Sequence, residues 1–282
     1  MSSISSAKGT ETRTTRTKMA DRQGELGAIS EELCLICATV TIGLEGVCAA
    51  ECEKKLRCSV LQGRGRIYFK VPRKNLMSIK GLRSVENLFV VVAEIKDFDG
   101  LFAESVDVTL QRFNRLSEEF NWHPALCTWK EFTGYKSTIN CAKTSNGSTE
   151  SEVLGEESQS TCEAVTNKAA EVVPRFRVTC TRTHSGTNKK HPFTSMEAAA
   201  SFGGGINDFF GWAVDLENFD LEVLLNIVDK NVVVGISLTK ESLFKRNIVN
   251  FGPTTLRSTL AYCLAMAADI KEGTFNTKLH SV

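Results

Sequence analysis

Three clusters of cations are the residues best placed to do chemistry. Arg175, Arg177 and Arg182 lie on or just past the segment Pro174–Thr181, where Phe176, Val178 and Cys180 alternate with Arg175, Arg177 and Thr179. Alternation at that period predicts a half-buried strand with one basic face. Lys189, Lys190 and His191 follow in a turn-rich stretch, and Lys245, Arg246 and Arg257 flank a later linker. Cations that converge on one surface neutralise phosphates, and the alternative for each is a merely solvated side chain. Arg64 and Arg66, beside Gly63 and Gly65, form a fourth and weaker cluster where a tight turn between strands is the plainer reading.

Other chemistries fit poorly. Gly203-Gly204-Gly205 follows a helical pattern instead of a strand and lacks both Gly-x-Gly-x-x-Gly spacing and a Gly-Lys-Ser/Thr tail, so close packing or a kink explains it better than a phosphate loop. Cys34 and Cys37 have Cys-x-x-Cys spacing, but residues three apart point to opposite faces of a strand, and no second such pair follows. Cys48 and Cys52 share a helical face without further ligands. No metal site and no catalytic residue is expected, since no Gly-x-Ser-x-Gly elbow or supported nucleophile occurs.

The elements that must position the cations follow from composition and periodicity. The 282 residues are 42% hydrophobic and 24% charged with a net charge of +1, so polyanion affinity must come from a local basic face. Ten cysteines without a secretory leader suggest reduced thiols in a soluble protein of the cytoplasm, with the nucleus as the alternative, and no apolar run is long enough for a membrane span. Residues 1–30 read as a disordered tail. Strand, helix and strand patterns run from Leu33 to Val71, and Pro72 suits the first turn of a second helix through Leu76 and Ile79 to Leu82. Leu88–Ile95 reads as an interior strand and Val106–Phe120 as an amphipathic helix, with a break at Trp122-His123-Pro124. Residues 141–172 read as a disordered acidic insertion. Thr194 or Ser195 should cap a helix to about Trp212, and Asp220–Val228 with Val232–Leu238 should form a hairpin. A last helix is expected over Thr254–Ala268.

Four segments carry a more specific signal: Leu82–Phe89 (LRSVENLF), Phe176–Cys180 (FRVTC), the run from Asn218-Phe219-Asp220 to Ile227, and Phe251–Arg257 (FGPTTLR). Through them the chain resembles the THUMP-containing tRNA guanine-N2-methyltransferases from about Leu33 to Tyr262. The resemblance implies an α+β fold: an N-terminal ferredoxin-like domain (31–123), a THUMP domain (124–240), and a linker with the truncated start, or stub, of a Rossmann-like methyltransferase domain (241–282). It implies binding of structured RNA, typically a tRNA acceptor arm, for which the charge clusters offer Arg175, Arg177, Arg182, Lys189, Lys190, Lys245, Arg246 and Arg257 as the candidate contacts. S-adenosylmethionine is the cofactor of the full-length family. Because the sequence stops soon after Tyr262, the expectation is a chain that is not itself an enzyme, holds no cofactor and does not bind the family's activating subunit. The rivals are a regulatory or interaction fragment that competes for tRNA, and the front part of an intact enzyme.

Overall fold

The computed structural model describes residues 33–98, 105–137, 139, 173–184, 190–250 and 252–269. The expected tail, the acidic insertion, Lys189, Phe251 and residues 270–282 lie outside them. Seven strands form one sheet in the order β2-β3-β1-β4-β7-β6-β5. These are β1 (Leu33–Thr39), β2 (Val60–Gly63), β3 (Arg66–Pro72), β4 (Asn87–Ile95), β5 (Phe176–Thr183), β6 (Leu221–Val228) and β7 (Asn231–Ser237). Every pairing is antiparallel except β5 with β6. A parallel pair needs a crossover, and helix α4 (Ser195–Phe210) supplies it. The hairpin expected around Asp229-Lys230-Asn231 is β6–β7.

Period-two alternation sorts the strand side chains. Ile36, Ile67, Phe69, Leu88, Val90, Val223, Leu225, Val234 and Ile236 face the main core, together with buried side chains of the helices. The helices are α1 (Glu45–Leu56), α2 (Val106–Glu119), α3 (His123–Thr133), α4 and α5 (Ser258–Ala267). Cys34 belongs to this core, whereas Cys37 joins Leu35 and Val91 in a separate cluster on the other face. The two thiols of the Cys-x-x-Cys pair are thus on opposite sides of the sheet. Cys48 Sγ on α1 lies 3.8 Å from Cys263 Sγ on α5, so the last helix docks on the first.

Three elements differ from the expectation. The segment after Pro72 is a 3-10 helix over Arg73–Gly81. Leu76, Ile79 and Leu82 are all fully buried, and their spacing of three suits a helix with about three residues per turn. The break expected at Trp122-His123-Pro124 is instead the start of α3, because a proline in the first turn forfeits no helical hydrogen bond. Pro124, Leu126, Trp129 and Phe132 of this helix are buried. The last helix begins at Ser258, four residues later than expected. No helix among the described residues is long and apolar enough to cross a membrane.

Thr194 provides the cap foreseen for α4: its Oγ1 accepts from Glu197 N at 3.1 Å, and Thr194 N donates to Glu197 Oε2 at 2.7 Å. The glycine triplet serves packing. A Cβ on Gly205 would lie 1.8 Å from the Asn114 carbonyl oxygen on α2, and one on Gly203 would touch Val178 of β5. The helix thus rests on both a helix and a strand. Ser201 Oγ donates to Leu110 O across the same contact.

Glu51 on α1 is a carboxylate only 1% exposed. It accepts from Lys55 Nζ (2.6 Å), Arg83 N (3.0 Å), Ser84 N (2.9 Å) and Ser84 Oγ (2.5 Å), fixing the loop that leads into β4. Burial pushes its pKa up, but the hydrogen bonds from Lys55, Ser84 and Arg83 outweigh burial and hold it below the usual 4.5.

Two stability predictions follow from these contacts. Gly205→Ala should destabilise the fold by about 3 kcal/mol, because the helices must separate to admit the methyl group; denaturant unfolding checks this. Glu51→Ala should cost about 2–3 kcal/mol by orphaning the Arg83 and Ser84 donors. Because the folded pKa of Glu51 is depressed, its stabilisation is present above pH 4.5 and is lost as the pH falls through the folded value. The difference between wild type and Glu51→Ala should therefore shrink below that pH, and a constant difference would contradict the assignment.

Candidate nucleic-acid interface

The sequence-derived cations separate into three environments. Arg175 and Arg177 enter β5 beside carboxylates. Arg175 Nη1 lies 3.3 Å from Asp215 Oδ2, and its Nε lies 3.6 Å from Asp220 Oδ2. Arg177 donates from Nη2 (2.7 Å) and Nε (3.0 Å) to Glu222 Oε1, which also accepts from Thr179 Oγ1 at 2.7 Å. The Arg177 guanidinium rests 3.9 Å over the Phe219 ring. Such stacking pre-orients the group, while the carboxylate offsets its charge.

Arg182 has the opposite orientation. By the alternation of β5 it shares the helix-covered side with Val178 and Cys180, and it donates from Nε to Ser195 Oγ (2.9 Å) and from Nη1 to Phe193 O. It anchors the start of α4. Lys190 is exposed, and the adjoining His191 is buried with Nε2 2.6 Å from Asp229 O. Burial lowers the His191 pKa.

The third environment gathers Lys245, Arg246 and Arg257 around the linker after β7. Arg246 donates to Leu82 O (2.7 Å), Leu243 O (3.1 Å) and Lys80 O (3.3 Å), tying the linker to the 3-10 helix. Arg257 Nη1 pairs with Glu86 Oε1 at 3.0 Å, and its guanidinium lies over Phe244. Lys245 remains 56% exposed, with Glu241 Oε2 4.0 Å away. An open groove of about 1250 Å³ runs between these segments, lined by Lys80, Arg83, Arg246, Asn250, Tyr262 and Leu264 among others. Sequence reasoning missed Lys80, Arg83 and Lys55. Arg83 and Lys55 both lie over the Tyr262 ring, at 5.6 and 5.5 Å. The signal was available, since Arg83 falls within the LRSVENLF run.

The structure thus assembles one groove with Lys80, Arg83 and Arg246 in its lining from segments over 160 residues apart, and Arg175, Arg177 and Arg182 are not among its lining residues. Exposed lysines with backbone-anchored arginines behind them can offset phosphate charge without a base-reading pocket. Among the described residues no group of three or more His, Cys, Asp or Glu side chains could hold a metal ion.

Comparison with known proteins places this geometry. The THUMP domain model matches residues 156–237. The chain is 36% identical over 296 residues to the tRNA (guanine(6)-N(2))-methyltransferase THUMP3 of Homo sapiens, covering 88% of this chain and 57% of that protein. It is 39% identical over 274 residues to the enzyme of the same description from Bos taurus, covering 80% and 53%. The chain therefore spans a little more than half the length of these relatives. Its fold is also that of TrmN from Thermus thermophilus (TM-score 0.52, 20% identity, 84% of this chain and 55% of that one). These matches overturn the expectation that the chain is not an enzyme, which rested on where the sequence stops: most of its length aligns with methyltransferases. The expectation of a chain without cofactor had the same basis and has no other support. The chain matches the THUMP domain over residues 156–237, and the relatives it resembles are guanine-N2-methyltransferases of tRNA or, in the case of THUMPD2 of Homo sapiens, of U6 snRNA.

Proposed function

We propose that the protein carrying this chain methylates guanine N2 in tRNA with S-adenosylmethionine, and that the part described here grips the RNA. The observation that carries this reading is the 36–39% identity over 80–88% of the chain to enzymes of that description, joined to the THUMP match. The acceptor arm is the proposed region of contact. The contacting cations are those read from the sequence other than Arg182 and Arg246, with Lys190 and Lys245 foremost because their side chains are exposed, and with Lys80 and Arg83 added from the groove. Arg246 and Arg182 act from behind, holding the backbone on which those lysines sit.

The domain layout is also a proposal. The order β2-β3-β1-β4, antiparallel throughout and with α1 between β1 and β2, supports a ferredoxin-like first domain. The close contact of Gly205 with Asn114 favours grouping α2 with the THUMP domain, and moves the first boundary from 123 to before Ser105.

Titrating tRNA at two salt concentrations tests the reading. Affinity should fall steeply as salt rises, and Lys190→Glu with Lys245→Glu should weaken binding by about tenfold or more at low salt. No binding at low salt, or an affinity indifferent to salt, contradicts it.

A further inference from the structure

The side of the sheet away from the helices holds an arrangement that the reading above leaves unused. The apolar cluster on this side contains no helical residue: Leu35, Cys37 and Val91 are buried, with Tyr68, Phe89 and Val233 packed against them. Arg66 on β3 and Asn226 on β6 point to the same side, out of phase with Ile67 and Leu225 of the main core. Four strand steps separate β3 from β6, which in a flat sheet is about 19 Å at ~4.8 Å per step. Yet Arg66 Nη2 donates to Asn226 Oδ1 at 2.5 Å. Only a sheet rolled towards this side brings the two side chains together, so the face is a trough with an apolar floor. Burial there pushes the Cys37 thiol up to about 11, against the opposing charge of Arg66.

Asn226 is 5% exposed, and its Oδ1 also accepts from Thr181 Oγ1 at 2.7 Å. A guanidinium can only donate, so the Arg66 contact fixes which amide atom is oxygen. The amide nitrogen is then a buried donor with no hydrogen-bond partner among the described residues. Buried donors in native folds almost always have acceptors. The Arg177–Glu222–Thr179 group lies further along the same face, and Glu94 of β4 faces Val233 there, so the trough carries the carboxylates Glu222 and Glu94 among several donors.

We infer that this trough is an RNA-contact site for a single-stranded segment, whose phosphate or base oxygens accept from Asn226 Nδ2 and the Arg66 guanidinium. A gap that one arginine and one asparagine span is too narrow for a duplex. A single strand fits, and the accessible parts of Tyr68 and Phe89 offer aromatic surface to its bases. The inference rests on the RNA-binding reading and adds a second surface to it, across the sheet from α4.

Asn226→Asp tests it, because a carboxylate still accepts from Arg66 and Thr181 while the orphan donor becomes a negatively charged acceptor. The variant should keep the wild-type melting temperature and bind tRNA about tenfold more weakly, whereas Asn75→Asp, a matched charge change on the exposed 3-10 helix, should shift affinity by less than about twofold. Wild-type affinity in Asn226→Asp overturns the inference and leaves the RNA reading standing. If wild type binds no tRNA, the reading itself fails and the inference with it. A second measurement needs no variant: photocrosslinking with 4-thiouridine-substituted tRNA should label peptides holding Tyr68 or Phe89. Adducts confined to other peptides, or a peptide ligand that occupies the trough without displacing tRNA, overturn it.

Discussion

Because β4 and β7 exchange backbone hydrogen bonds from Phe89↔Ser237 to Ile95↔Val232, two stretches of chain far apart in sequence share one sheet. The rest of the structure depends on that pairing. It sets the relative position of the first four strands and the last three, and lets one apolar core run beneath both. It carries the LRSVENLF loop alongside the linker after β7, where Arg246 closes the contact by donating to Leu82 O. The basic groove exists only because those two segments meet. A β-bulge between Val91 and Ala93 interrupts the ladder, and bulges add twist, in keeping with the roll that brings Arg66 to Asn226.

The strands were largely legible in the sequence because each is either a short apolar run, as in β1 and β4, or an alternating stretch, as in β3 and β6. The α4 cap was legible for a similar reason: Thr194 with Glu197 three residues later is a local signal that needs no tertiary context. The 3-10 helix is harder to read: Pro72 suits the start of either kind of helix, and the period of three in Leu76, Ile79 and Leu82 is the one local sign that separates them. Pro124 is ambiguous in the other direction, since a proline suits a break as well as the first turn of a helix, and here it opens α3.

The site was harder to read for a physical reason. Composition showed which cations exist, but a cation's use depends on what it meets after folding. Arg182 could have been removed from the basic face by counting along β5, which puts it in phase with Val178 and Cys180. Nothing local could have shown that Arg246 spends its donors on carbonyls, or that Arg66 meets a partner 160 residues away. The view that the chain is not an enzyme failed differently, since it rested on where the sequence stops, and similarity along most of the chain outweighs that.

The most direct test of the account is methyl transfer. The protein carrying this chain should be incubated with unmodified tRNA and isotopically labelled S-adenosylmethionine, and the tRNA digested to nucleosides. The account predicts label in N2-methylguanosine, with yield falling as salt weakens RNA capture. Label in a different nucleoside, or none under conditions where tRNA is bound, would contradict it.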